Sequence, residues 1–189
     1  DTRPYRMNLP KNIQWIEVDY PHMIAHKESE LKSETPKVQL ERIPLDLADR
    51  EKRKVLFHQL AKRSNKILIL TEGVIPYLTE QQVSELASDL HSEDTFKYWI
   101  TEFFAKHMYR YFQTSARRKQ MKNAPFQFFP EDWFGLFQKN GWIPKEQRFL
   151  IQEAKKFNRP LPIPKFAQIF VLPIMSKAAL DKLEKQMSY

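Results

Sequence analysis

The 189-residue sequence contains no cysteine. Disulfides, thiolate metal sites and a cysteine nucleophile are thereby excluded, and the composition agrees with a reducing, cytoplasmic setting. Glycine is nearly as scarce: Gly73, Gly135 and Gly141 are the three present. Three scattered glycines cannot assemble a glycine-rich cradle for a nucleotide. No apolar run approaches the roughly 20 residues that a membrane span requires, which predicts a soluble chain with no membrane partner. The opening Asp-Thr-Arg-Pro lacks the basic head and apolar stretch of a signal peptide. Residues 105–130 contain no acid at all.

What is present argues for a packed core. The apolar fraction is 42%, with 14 Phe and 4 Trp, and a chain of this length can bury about 70% of its unfolded surface in one domain. The formal charge is +8, and Lys106, Arg110, Arg117, Arg118, Lys119 and Lys122 lie in the acid-free segment. A solvated face is the plain reading of such a block; attraction of an acidic partner is the sharper one.

Strand and helix signals alternate. Residues 13–18 and 38–45 read as strands around a polar helix within 22–37. Asp49 is a candidate N-cap for a helix reaching residue 64, with Val55, Leu56, Leu60 and Ala61 at helical spacing. Residues 66–71 form a buried strand, and Thr79 with Gln82 suggests a capping box for the next helix. Further strands are expected at 95–103, 142–151 and 166–173, and helices at 130–139 and 177–187. The proline-rich run 159–165 reads as a rigid connector. This order predicts an α/β fold with a mostly parallel sheet.

Three acidic strand ends recur: Glu17 with Asp19, then Asp46, then Glu72. Parallel strands joined by helices bring their carboxyl ends to one edge, where α/β proteins bind ligands. An acid ending the second strand of such a fold can accept both hydroxyls of a ribose. Asp46 can accept from an exocyclic amine while Leu47 packs on a purine, although helix capping also suits an acid there. His22 and His26, four residues apart on a polar helix, read as a solvated face and not as a metal site. Phe126, Phe128, Phe129, Trp133, Phe134 and Phe137 read as core in preference to a base-stacking platform, which weighs against nucleic acid as a partner.

The motifs resemble those of the leucine carboxyl methyltransferase-like family of S-adenosylmethionine-dependent methyltransferases. That family has a G-x-G-x-D-T-R loop, a strand ending E-V-D-x-P, a D-L pair and an A-E-x-V-x-x-Y-L signature. The chain has Asp1-Thr2-Arg3, Glu17-Val18-Asp19-Tyr20-Pro21, Asp46-Leu47 and Glu72-Gly73-Val74-Ile75-Pro76-Tyr77-Leu78, in that order, with Thr71 in place of the commoner small residue. The resemblance implies a Rossmann-like class I methyltransferase sheet with a late antiparallel strand. It implies S-adenosyl-L-methionine as cofactor, with Asp19 on the ribose and Glu17 as second choice. Asp46 and Leu47 would meet adenine, Glu72 would face the cofactor, and Tyr77 would stand on the substrate side.

The family's first strand and glycine loop would precede Asp1, itself a remnant of that loop, and that strand would sit mid-sheet. A chain without them is expected to bind cofactor weakly and to pair through the exposed sheet edge as a homodimer. The acceptor is expected to be a small-molecule or protein carboxylate. Residues 104–130 would be a substrate-side insertion in a single domain, where Arg117, Arg118 or Lys119 could hold an anionic acceptor. A non-catalytic interaction module derived from this fold, and a nucleic-acid-binding protein using the basic segment, are the alternatives.

Overall fold

The computed structural model describes residues 1–159 and 187–188. The chain divides into two units, Asp1–Leu60 and Ala61–Tyr189. The first unit opens with the short helix α1 (Arg3–Arg6), followed by β1 (Gln14–Asp19), α2 (Pro21–Glu30), β2 (Gln39–Pro44) and α3 (Arg50–Ala61). Strands β1 and β2 pair in parallel, Trp15 opposite Leu40 and Val18 opposite Ile43. Parallel neighbours cannot be joined by a tight turn, and α2 supplies the crossover. Pro21 starts α2, at the position where a missing N–H costs nothing. The helix ends at Glu30, within the expected segment 22–37 and before Pro36.

Asp49 caps α3 as expected, its Oδ1 accepting from the Lys52 N–H at 3.2 Å. The buried face of α3 is Arg53, Leu56, Phe57 and Leu60, a spacing of three and four. Val55 was expected on that face but is 59% exposed, one position out of phase with it.

The second unit holds β3 (Ile67–Thr71), a 3-10 turn (Ile75–Tyr77), α4 (Glu80–His91), β4 (Phe96–Thr101) and β5 (Phe103–Phe104). After them come α5 (Lys106–Phe112), α6 (Ser115–Gln120), α7 (Trp133–Lys139), α8 (Leu150–Lys156) and β6 (Met187–Ser188). Strands β3 and β4 are parallel, with α4 as crossover, and β5 and β6 are antiparallel. The Thr79–Gln82 capping box is complete, and Val83, Leu86, Ala87 and Leu90 of α4 are buried. Trp99 donates from Nε1 to the buried Thr71 hydroxyl at 2.9 Å, and its ring meets Phe137 and Trp142 edge-on.

Among the described residues the strands form three two-stranded sheets. The fold is mixed α/β with two short parallel pairs and a late antiparallel pair. The strand expected at 142–151 does not form. Pro144 and the polar run 145–148 break it, Ile143 is 82% exposed, and Leu150 already begins α8. The connector at 159–165, beyond Arg159, and the strand at 166–173 lie outside the described residues. So does the terminal helix at 177–187, except for Met187, which pairs with Phe104.

Helix α7 ends at Lys139, the expected residue, and Asn140-Gly141 form its stop. The Trp142 N–H donates to the Phe137 carbonyl at 3.0 Å and the Gly141 N–H to Gln138 at 3.0 Å, with Gly141 at φ +89°. A Cβ at Gly141 would come within 2.4 Å of His91 Nε2. Gly141→Ala therefore adds a steric conflict to backbone strain and is expected to cost about 2–3 kcal/mol in denaturant unfolding. Thr79→Ala, which removes one capping bond, should cost about 1 kcal/mol.

Candidate functional site

In the first unit, the β1–β2 ladder continues past its last register pair, Asp19 opposite Pro44. The Leu45 N–H donates to the Asp19 carbonyl at 2.8 Å, and Asp46 follows directly. Asp19 and Asp46 are thus brought together at the carboxyl ends of neighbouring strands, both exposed. Asp19 Oδ1 accepts from the Tyr20 N–H at 2.8 Å, while Oδ2 accepts no bond among the described residues. Asp46 Oδ1 accepts from the Ala48 N–H at 2.8 Å. Burial, together with the charges of Asp46 and Asp19, pushes the Tyr20 phenol above its ordinary range. It therefore stays a neutral donor. Leu47 is half-buried beside them.

Glu17 sits inside the strand and is differently employed. Its Oε1 accepts from Lys27 Nζ at 2.7 Å and its Oε2 from Arg42 Nε at 3.0 Å; Arg42 Nη2 also donates to the Tyr5 hydroxyl at 2.5 Å. Both oxygens tie α2 and β2 to β1, which leaves Asp19 as the strand-end carboxylate with an open acceptor. Asp1 precedes the N-cap Thr2 of α1, and its Oδ1 accepts from the Arg3 N–H at 2.9 Å.

In the second unit, Thr71 of β3 lies opposite Thr101 of β4, and the next residue on each strand is a glutamate. Glu72 is exposed, whereas Glu102 is only 7% exposed. Glu102 Oε1 accepts from the Gly73 N–H at 2.9 Å and the Val74 N–H at 3.3 Å, while Oε2 is buried with no hydrogen-bond partner. Gly73 has φ +64°, a left-handed bend that favours glycine. The 3-10 turn then presents Tyr77.

Residues 104–130 return to this turn. The Gln127 and Phe128 N–H groups donate to the Pro76 carbonyl at 2.7 and 3.2 Å, and Gln127 Nε2 donates to the Tyr77 carbonyl at 2.7 Å. The Tyr77 ring meets Phe126 edge-on, Phe126 meets Phe112, and Phe112 touches Tyr111. Arg117 closes the series, its guanidinium 4.6 Å from the Tyr111 ring centroid, and it also donates to Gln120 at 2.7 Å. Arg118 and Lys119 are exposed, and Lys106 is ion-paired with Glu131. Phe128, Trp133 and Phe137 are buried core, and Phe134 stacks on Phe103. His22 stacks on Tyr20. Among the described residues no three His, Cys, Asp or Glu side chains are grouped to hold a metal ion.

Glu102 and Gln127 were not singled out in the sequence. The signal for Glu102 was available, since it is a further acid at a strand end; reading the strand through to residue 103 hid it.

Burial raises the Glu102 carboxyl above the ordinary carboxylate range, outweighing the backbone N–H groups that favour its charged form. A folded-state pKa above the unfolded one, about 4.3 for glutamate, gives stability that is complete below the unfolded value. That stability is lost as pH rises through the folded pKa. Glu102→Gln should therefore gain Tm relative to the native chain over the range above about pH 4.3, as pH rises through the folded pKa. Thermal unfolding across that range is the check, and a gap that does not change with pH would contradict the linkage.

Comparison with known proteins bears on the same residues. No curated protein matches the chain. Residues 1–91 match the family model described as leucine carboxyl methyltransferase. The match ends with α4, so it spans Asp1, Glu17, Asp19, Asp46, Leu47, Glu72 and Tyr77 but not the basic segment. That segment, a little under half of the chain, is what supports the leucine carboxyl methyltransferase family.

Proposed function

We propose that this chain carries cofactor-binding elements of an S-adenosylmethionine-dependent methyltransferase acting on oxygen, with a carboxylate as acceptor. The observation that carries the reading is the pairing of Asp19 and Asp46 at adjacent strand ends, within the segment of family sequence. The donor set fits a nucleoside. Asp19 keeps an open oxygen for a ribose hydroxyl. Asp46 retains lone pairs for an exocyclic amine, and Leu47 offers an apolar surface beside it. The family resemblance adds Glu72 as a carboxylate toward the cationic part of the cofactor.

When bound, S-adenosyl-L-methionine supplies a methyl group on a sulfonium, a strong electrophile. The protein's task is then alignment more than proton transfer. A carboxylate acceptor is already ionised at neutral pH, so no general base is needed. Tyr77 can orient that acceptor by donating its hydroxyl, and Arg117, Arg118 and Lys119 can attract its charge. The ring series from Tyr77 through Phe126, Phe112 and Tyr111 to Arg117 supports placing both groups on the substrate side.

Calorimetric titration with S-adenosylhomocysteine tests the assignment. Asp19→Ala and Glu72→Ala should each weaken binding about tenfold or more, the loss expected for a charged hydrogen bond. Native affinity in both variants would remove these residues from the site. A folded native chain that binds none would favour the non-catalytic interaction module.

A further inference from the structure

The mechanism proposed above leaves one buried group unused. Glu102 follows the last residue of β4 and is 93% removed from solvent by its 7% exposure. Burying a carboxylate is costly, and the cost is usually met by several donors. Here both donors are backbone N–H groups on one oxygen, Gly73 and Val74, 29 and 28 residues away in the chain. Those two residues form the bend between Glu72 and the 3-10 turn that presents Tyr77. A Cβ built on Gly73 would meet nothing within 4 Å among the described residues, so the bend has open space on that side.

We infer that Glu102 is a positioning residue, a clamp from the end of β4 that sets the course of the backbone immediately after Glu72. With φ at +64°, Gly73 adds little conformational restraint of its own. Two bonds to a single buried oxygen fix the direction of two successive peptide planes. They fix where the Glu72 carboxylate leaves the strand and where the turn to Tyr77 begins. Gln127 holds the far end of the same turn through the Pro76 and Tyr77 carbonyls. The turn is thereby pinned at both ends by residues distant in sequence. That Glu72 and Tyr77 face cofactor and acceptor rests on the proposed function; the clamp itself does not.

Amide hydrogen exchange of the native chain and two variants is the test. In the native chain the Gly73 and Val74 amides, although in an exposed bend, should exchange at least tenfold more slowly than unpaired loop amides. Glu102→Gln keeps an acceptor oxygen at the same reach and should retain that protection within about threefold. Glu102→Ala should lose it at these two amides while Val83 and Leu86 in α4 keep their native rates. Fast exchange at Gly73 and Val74 in the native chain would overturn the clamp, as would loss of their protection in Glu102→Gln. Uniform loss across the unit in Glu102→Ala would reduce Glu102 to a core residue without a positioning role. In a chain that binds S-adenosylhomocysteine, Glu102→Ala should also weaken affinity at least tenfold, with Glu102→Gln near native. Absence of binding in the native chain would count against the proposed function alone, since exchange reads the clamp without ligand.

Discussion

Parallel pairing is the constraint from which the rest of this structure follows. Two parallel strands need a crossover of a dozen or so residues, and the chain meets that need twice, with α2 between β1 and β2 and α4 between β3 and β4. Each crossover returns the backbone so that both carboxyl ends of a pair share an edge. Residues ending separate strands become neighbours there: Asp19 beside Asp46 in the first unit, and the Glu72 and Glu102 positions in the second. Helix amphipathicity accompanies this, since the α4 crossover buries Val83, Leu86, Ala87 and Leu90 along one side.

One residue type does different work at these ends because its surroundings differ. Glu17, inside β1, is spent on Lys27 and Arg42 and holds the first unit together. Asp19, two residues later, keeps an open oxygen toward solvent. Glu72 is exposed, while Glu102 is buried and grips the turn that follows Glu72. Burial and position together decide between the uses: Glu17 inside β1 and buried Glu102 are structural, while exposed Asp19 at its strand end keeps an open oxygen.

Much of this was legible in the sequence. Apolar runs ending in acids gave β1, β2 and β3 to within a residue or two at each end, and Thr79 with Gln82 marked the start of α4. The D-T-R, E-V-D-x-P, D-L and E-G-V-I-P-Y-L motifs pointed to the family that the model match over residues 1–91 supports. Long-range hydrogen bonds were not legible. Nothing local says that Gln127 reaches back to Pro76 and Tyr77, or that Glu102 reaches Gly73. The misread at 142–151 has a local cause: Trp142 and Ile143 suggest a strand, but the Trp142 indole donates to the Ala87 carbonyl instead, and Pro144 ends any ladder.

The central claim is that the carboxyl ends of β1 and β2 form a nucleoside-binding edge. Its most direct test is backbone amide shift mapping of the isotopically labelled chain during titration with S-adenosylhomocysteine, which registers even millimolar affinity. The claim predicts saturable shifts at Asp19, Tyr20 and residues 46–48. Saturable shifts confined to residues 115–122, with that edge unmoved, would contradict it and place the ligand on the basic segment instead.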